Sequence, residues 1–341
     1  MRQIEAKRFG APNVLEACEV RDPIAGPGQV VIDVSVADTL YLDTVLRSGN
    51  FPFAGVAPPY VPGGGVAGEI LAVGPDVDRG LRGRRVVART GADELRSDVE
   101  TVAALAQRDS HTGGYAEQAV VLVSRVIPVP DEVCLSTAAA LVNDGMTAMM
   151  LIEAAGIRPG DRVLITPCGG GVGNLLVQLA HAAGAHVIGA ARGARKLELA
   201  RSSGAAAALD YEHGDWAAHV RALTEGRGAD IVLDGVGGSI GHASLDVTAS
   251  GGRFIGYGAP SGQFTQAHPE YAARRGIRVD CLLNLPMRAG DERRFTERAL
   301  TDAAAGRLVP HIGRTVPLDR AAEAHAAIED RAVVGKTLLP T

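Results

Sequence analysis

The chain is poor in cysteine and in lysine, and it has no long apolar run. Its four cysteines, Cys18, Cys134, Cys168 and Cys281, are far apart and form no CxxC pair. That pattern suggests neither a disulfide framework nor a thiolate zinc site. No run approaches the ~18 uninterrupted apolar residues of a membrane span, and MRQIEAKRFG lacks the apolar stretch of a secretory leader. A cytoplasmic protein with no membrane partner is the expectation. Of 34 basic residues only three are lysine (Lys7, Lys196, Lys336), which with the heavy alanine usage points to codon composition. A formal net charge of −5 argues against nucleic acid as a partner. The 43 glycines have no Gly-X-Y period, so collagen is out. With 46% hydrophobic and 21% charged residues the chain is no disordered segment. Its 341 residues suggest two domains at roughly 100–200 residues each.

What is present changes character near residue 130. The first third carries short β-branched runs between turn residues: Gln29–Val36, Val66–Val73, Arg85–Ala88 and Ala116–Val123. These predict an antiparallel barrel or sandwich. Thr137–Ala155 reads as one helix, stopped by Pro159-Gly160. Strands and helices then alternate. The strands are Arg162–Thr166, His186–Ala190, Ala206–Leu209, Ala229–Asp234 and Arg253–Tyr257, and helices fall near 171–183, 194–203, 215–224 and 239–248. That alternation predicts a parallel sheet with helices on both faces. Arg278–Leu283 can add a sixth strand, and a strand near Lys336–Leu339 returns to the first domain. The polar stretch 90–113 reads as a surface helix, with a lid over a substrate site as the alternative.

The strongest motif is VLITPCGGGVGNLLVQLA, residues 163–180. A dinucleotide turn uses a tight-turn glycine, a glycine for pyrophosphate approach and a glycine for helix–strand packing. Cys168, Gly170 and Gly173 hold those positions, so the first departs from the fingerprint. Gly171 and Val172 open the helix whose free N–H groups would face the pyrophosphate. An NAD site places Asp or Glu at the end of the second strand. Here Ala190 and Ala191 are followed by Arg192, Gly193, Ala194, Arg195 and Lys196. Three cations and no acid in that run suit a ribose 2′-phosphate and predict NADPH.

These residues resemble the zinc-free quinone oxidoreductase branch of the medium-chain dehydrogenase/reductase superfamily. The resemblance runs through DTLYLDTVLRSGNFP (38–52), PYVPGGGVAGEILAVG (59–74), GGYAEQAVV (113–121), GGGVGNLLVQLA (169–180), DIVLDGVGG (230–238), GRFIGYG (252–258) and RAVVGKTLLP (331–340). It implies an α/β protein: a GroES-like β-rich catalytic domain at 1–128, a Rossmann doubly wound parallel sheet at 129–267, and a return segment at 268–341. It implies a cleft between the domains and a homodimer formed through the edge strand Arg278–Leu283. Lys196 and Tyr211 match positions that contact the 2′-phosphate. Gly235, Val236, Tyr257 and Gly258 match the nicotinamide half, and Lys336 in the closing block is assigned to the cofactor as well. Where zinc-bearing relatives carry ligands, this chain has Thr39 and Leu40, then Gly64 and Gly65, then Asn143, so no metal is expected.

Without a Lewis acid, hydride delivery to a polarised acceptor is easier than alcohol oxidation. A quinone or an α,β-unsaturated carbonyl fits. The alternatives are an enoyl reductase acting on a carrier-bound lipid or polyketide-type substrate, and a non-catalytic NADPH-binding protein. The relatives' polar groups are replaced here by Leu40, Val45 and Phe51. Tyr41, Tyr60, Asn143 and Asp144 remain as candidate catalytic groups, with turn and capping roles competing at the last two. Asp43 is expected to pair with a cation such as Arg47.

Overall fold

A computed structural model describes residues 1–50, 56–91 and 113–341. Phe51, His111 and most of the 90–113 stretch lie outside the described residues. The chain divides into two compact units. One is Met1–Asn143 with Thr296–Arg307 and Ile312–Thr341; the other is Asp144–Phe295 with Leu308–His311. The first crossing falls at Asn143/Asp144 because the helix Leu135–Val142 packs on strands of the first unit. The expected single helix over Thr137–Ala155 is therefore two helices, Leu135–Val142 and Asp144–Ala155, interrupted at Asn143.

The first unit is β-rich, as its short β-branched runs predict. Strands β1 (Arg2–Ala6) and β2 (Leu15–Glu19) form an antiparallel pair. A larger sheet runs β14 (Ile312–Thr315), β15 (Lys336–Pro340), β3 (Gln29–Asp38), β4 (Gly65–Val73), β5 (Arg85–Arg89) and β7 (Val126–Pro128), with β6 (Gln118–Leu122) also on β3. Its pairings are antiparallel except β14 with β15. Val30, Ile32 and Val34 recur at the two-residue spacing of a strand and enter one core with Ile70, Val86 and Val121. A short helix, Tyr41–Ser48, follows β3 and ends on Gly49 in the left-handed conformation.

The second unit is a six-stranded parallel sheet. Its order is β10 (Ala207–Asp210), β9 (His186–Ala191), β8 (Arg162–Thr166), β11 (Ala229–Asp234), β12 (Thr248–Gly256) and β13 (Arg278–Cys281). The central strands read as unbroken apolar runs because both faces are covered. Val163, Leu164, Ile165, Val232 and Leu233 are fully buried. The order reverses between β8 and β11, the switch point at which doubly wound sheets bind ligands beyond the carboxyl ends of their strands. β13 is an edge strand, paired only with β12 among the described residues.

Candidate functional site

At the carboxyl end of β8 the chain turns through Pro167-Cys168-Gly169-Gly170 into the helix Gly171–Ala182. The first amides of this helix, on Gly171, Val172 and Gly173, have no acceptor within the helix. No side chain caps them. Gly173 sits hard against the preceding turn: a Cβ there would lie 1.9 Å from the Pro167 carbonyl oxygen. At Gly170, by contrast, a Cβ would meet nothing within 4 Å, so the space above the turn is open. Cys168 replaces the first motif glycine without closing that space. Its side chain turns inward against Gly189, and burial pushes the thiol up to about 12.

Asp234, at the end of β11, shapes the neighbouring turn. Its buried carboxylate accepts from Val236 N at 3.0 Å, Gly237 N at 3.1 Å and the hydroxyls of Thr166 at 2.8 Å and Thr265 at 3.1 Å. Burial raises its pKa, and these donors oppose the rise. Gly235, Val236 and Tyr257 are thereby held at the same end of the sheet, with Tyr257 N donating to the Asp234 carbonyl at 2.6 Å. The Tyr257 ring covers Gly235, and Gly258 packs against the Gly235 carbonyl. The Tyr257 hydroxyl is buried with no hydrogen-bond partner among the described residues. An unsatisfied buried hydroxyl costs about 1–3 kcal/mol, so a hydrogen-bond partner here, water or ligand, is favoured.

The basic run after β9 lies beside this turn. The Lys196 stem packs on Gly169, where a Cβ would fall 2.4 Å from Lys196 Cβ. Arg195 is exposed and Arg192 partly so. The parallel register sets Asp210 beside Ala191, so β10 delivers Asp210, Tyr211 and Glu212 alongside Arg192 and Gly193. Asp210 accepts Gly193 N at 3.0 Å, and Glu212 Oε1 lies 3.6 Å from Arg192 Nη1. Acids are therefore present here, contrary to what the sequence of the β9 turn implies. They come from the neighbouring strand, about twenty residues on.

The first unit holds a separate cluster. Asn143 is buried and its amide is fully engaged: Nδ2 donates to Asp38 Oδ2 at 2.8 Å and to the Gly64 carbonyl at 3.0 Å, and Oδ1 accepts from Arg89 Nε at 3.1 Å. Lys336 is also buried, with Nζ 2.6 Å from Asp38 Oδ1. Its ammonium forms an ion pair inside the first unit. Asp144 is buried at the start of its helix. Tyr41 opens its own helix and is 42% exposed. The Tyr60 hydroxyl is buried with no hydrogen-bond partner among the described residues.

Asp43 does not pair with Arg47. Its Oδ2 accepts from Leu40 N at 2.8 Å and from the Tyr115 hydroxyl at 3.3 Å. Tyr115 Oη lies 3.0 Å from His325 Nε2, and His325 Nδ1 accepts from Arg47 Nε at 3.3 Å. Arg47 also reaches Glu329 and the Gly10 carbonyl. Donation from Arg47 leaves the proton of His325 on Nε2, so each group in the chain donates to the next and Asp43 receives last. Burial raises Asp43 to about 7 and lowers His325 to about 3. Sequence reasoning missed His325 and Tyr115, whose spacing from Asp43 carries no local signal.

Comparison with known proteins agrees with this architecture. Residues 26–131 match the alcohol dehydrogenase GroES-like domain, and residues 171–286 match the zinc-binding dehydrogenase family. The chain is 31% identical to a probable quinone oxidoreductase of Schizosaccharomyces pombe, covering 98% of this chain and 96% of that protein. It is 31% identical to a 2-haloacrylate reductase of a Burkholderia species, over 99% and 98% of the two chains. A mycobacterial protein solved in complex with NADPH superposes with a TM-score of 0.86 at 29% identity, each chain covered fully. Among the described residues no group of three or more His, Cys, Asp or Glu side chains is placed to hold a metal ion. Leu40 and Asn143 crowd Gly64 and Gly65, presenting a hydrocarbon and an amide already committed to protein partners. By sequence and architecture the chain belongs to the quinone oxidoreductase branch of the medium-chain dehydrogenase/reductase superfamily, and it is an oxidoreductase.

Proposed function

We propose that the chain is an NADPH-dependent reductase that delivers hydride to a quinone or an α,β-unsaturated carbonyl without zinc. The observation that carries this reading is the cationic run Arg192, Arg195 and Lys196, seated beside an open glycine turn whose helix amides are uncapped. An anionic dinucleotide suits that turn: the amides of Gly171–Gly173 and the open face of Gly170 take the diphosphate. Lys196, Arg192, Arg195 and Tyr211 take the 2′-phosphate. Gly235, Val236, Tyr257 and Gly258 line the nicotinamide half, where the orphaned Tyr257 hydroxyl gains its partner. NADPH, when bound, supplies the hydride.

The chain's own part is to hold the acceptor and to stabilise charge on its oxygen. Tyr60 is the preferred donor of the first unit, because its hydroxyl is buried and unspent; Tyr41 is the second candidate. The three protein bonds of Asn143 make it a positioning group rather than a donor in this reading. Asp144, buried at the head of its helix, is the remaining candidate from the sequence. The 2-haloacrylate-reducing relative favours electron-poor alkenes alongside quinones as acceptors. A homodimer through the edge of β13, which is unpaired among the described residues, is part of the proposal, and light scattering on the purified protein tests it.

The test of the activity is NADPH consumption with quinones, linear enones, 2-haloacrylates and enoyl thioesters. Turnover with quinones or small enones supports the proposal. Turnover confined to enoyl thioesters assigns the chain to carrier-bound substrates. Tight NADPH binding with no turnover on any acceptor refutes a reductase.

A further inference from the structure

The pocket assigned to the 2′-phosphate contains its own competitor. Asp210 Oδ1 accepts Glu212 N at 3.0 Å while Oδ2 accepts Gly193 N at 3.0 Å. The Asp210 carboxylate thus ties the Glu212 backbone amide to the turn that carries Arg192. Glu212 Oε1 stands 3.6 Å from Arg192 Nη1, with the side chains 56% and 36% exposed. Arg195 and Lys196 add positive charge on the same turn, and His213 follows Glu212. A phosphate drawn to Arg192 has to displace or sit beside the Glu212 carboxylate.

We propose that Glu212 is a specificity-determining residue that lowers the preference for NADPH over NADH. The inference rests on the cofactor reading above. Its physical content is a like-charge penalty: a 2′-phosphate near −2 at neutral pH meets a fixed −1 charge, whereas the 2′-hydroxyl of NADH pays none. The cations supply the attraction and Glu212 subtracts part of it. Because the pair is exposed, added salt shrinks the penalty.

Calorimetric titration of NADPH and NADH into the wild-type protein and Glu212→Gln tests this, with Glu198→Gln as a control. Glu198 pairs with Arg201 at 3.6 Å on the following helix and removes the same formal charge. Glu212→Gln is expected to tighten NADPH about fivefold to tenfold at low salt and to leave NADH within about twofold. Glu198→Gln is expected to change neither. Unchanged NADPH affinity in Glu212→Gln overturns the inference, and so does weaker binding, which would make Glu212 a support that positions Arg192. A wild-type protein that binds no NADPH, or an Arg192→Ala/Lys196→Ala variant that loses NADPH and NADH equally, sinks the cofactor reading itself.

Discussion

Replacing Asp43 by Asn should stabilise the protein at neutral pH and leave it unchanged in acid. The neutral Asp43 carboxyl and an Asn side chain have the same shape, and Asn Oδ1 can accept from Leu40 N and Tyr115 Oη as Asp43 Oδ2 does. The folded protein raises Asp43 from 3.8 to about 7. In that interval the folded state binds more protons than the unfolded state, so this carboxyl makes stability fall as pH rises. About three pKa units at 1.36 kcal/mol each give a loss of about 4 kcal/mol between pH 4 and 7. His325 acts with the opposite sign. Its folded value, lowered from 6.5 to about 3, makes stability rise with pH over about the same range. In the wild-type protein the two slopes oppose one another between pH 4 and 6.5. Asp43→Asn removes the first and exposes the second. Urea unfolding at pH 4, 5, 6 and 7 measures the difference, in which groups common to both proteins cancel. The variant is expected to match the wild type near pH 4 and to exceed it by about 3–4 kcal/mol at pH 7. A pH-independent difference, or a variant less stable at pH 7, would refute the buried-carboxyl reasoning.

Three further outcomes follow from the same geometry. Gly173→Ala drives a Cβ to 1.9 Å from the Pro167 carbonyl, so it should displace the turn and cut NADPH affinity at least about tenfold; calorimetry reads this. Lys336→Met strands Asp38 as an unpaired buried charge and should cost about 3–5 kcal/mol in chemical unfolding, while Asp38→Asn combined with Lys336→Met should recover part of that. Elemental analysis of the purified protein should find no stoichiometric zinc; one zinc per chain would contradict the donor chemistry at Leu40, Gly64 and Asn143.

The second unit was largely legible in the sequence. Parallel strands buried on both faces leave unbroken apolar runs, and the turn between β8 and its helix leaves a glycine run. Both are local patterns. The first unit's strands were legible for a similar reason, since β3 alternates with period two. What escaped was made by register and by distant pairing. Asp210 and Glu212 reach Arg192 only because β10 lies beside β9, and no pattern in residues 186–196 announces them. Asp43, Tyr115 and His325 meet across three separate segments, so the sequence offers a nearby cation such as Arg47 as the partner of Asp43 instead. Lys336 is assigned to the cofactor in the sequence, and its pairing with Asp38 is not legible there, because β15 lies between β3 and β14 and carries it inside. Asn143 reads as a turn residue, and it does interrupt a helix, but its amide is consumed by Asp38, Gly64 and Arg89.

Arg192 and Lys196 are proposed to receive the 2′-phosphate of NADPH. Dissociation constants for NADPH and NADH, measured on the wild type and on Arg192→Ala/Lys196→Ala, test it most directly. NADPH binding is expected to weaken about tenfold to a hundredfold while NADH binding changes little. Equal losses for the two nucleotides, or none for either, would contradict it.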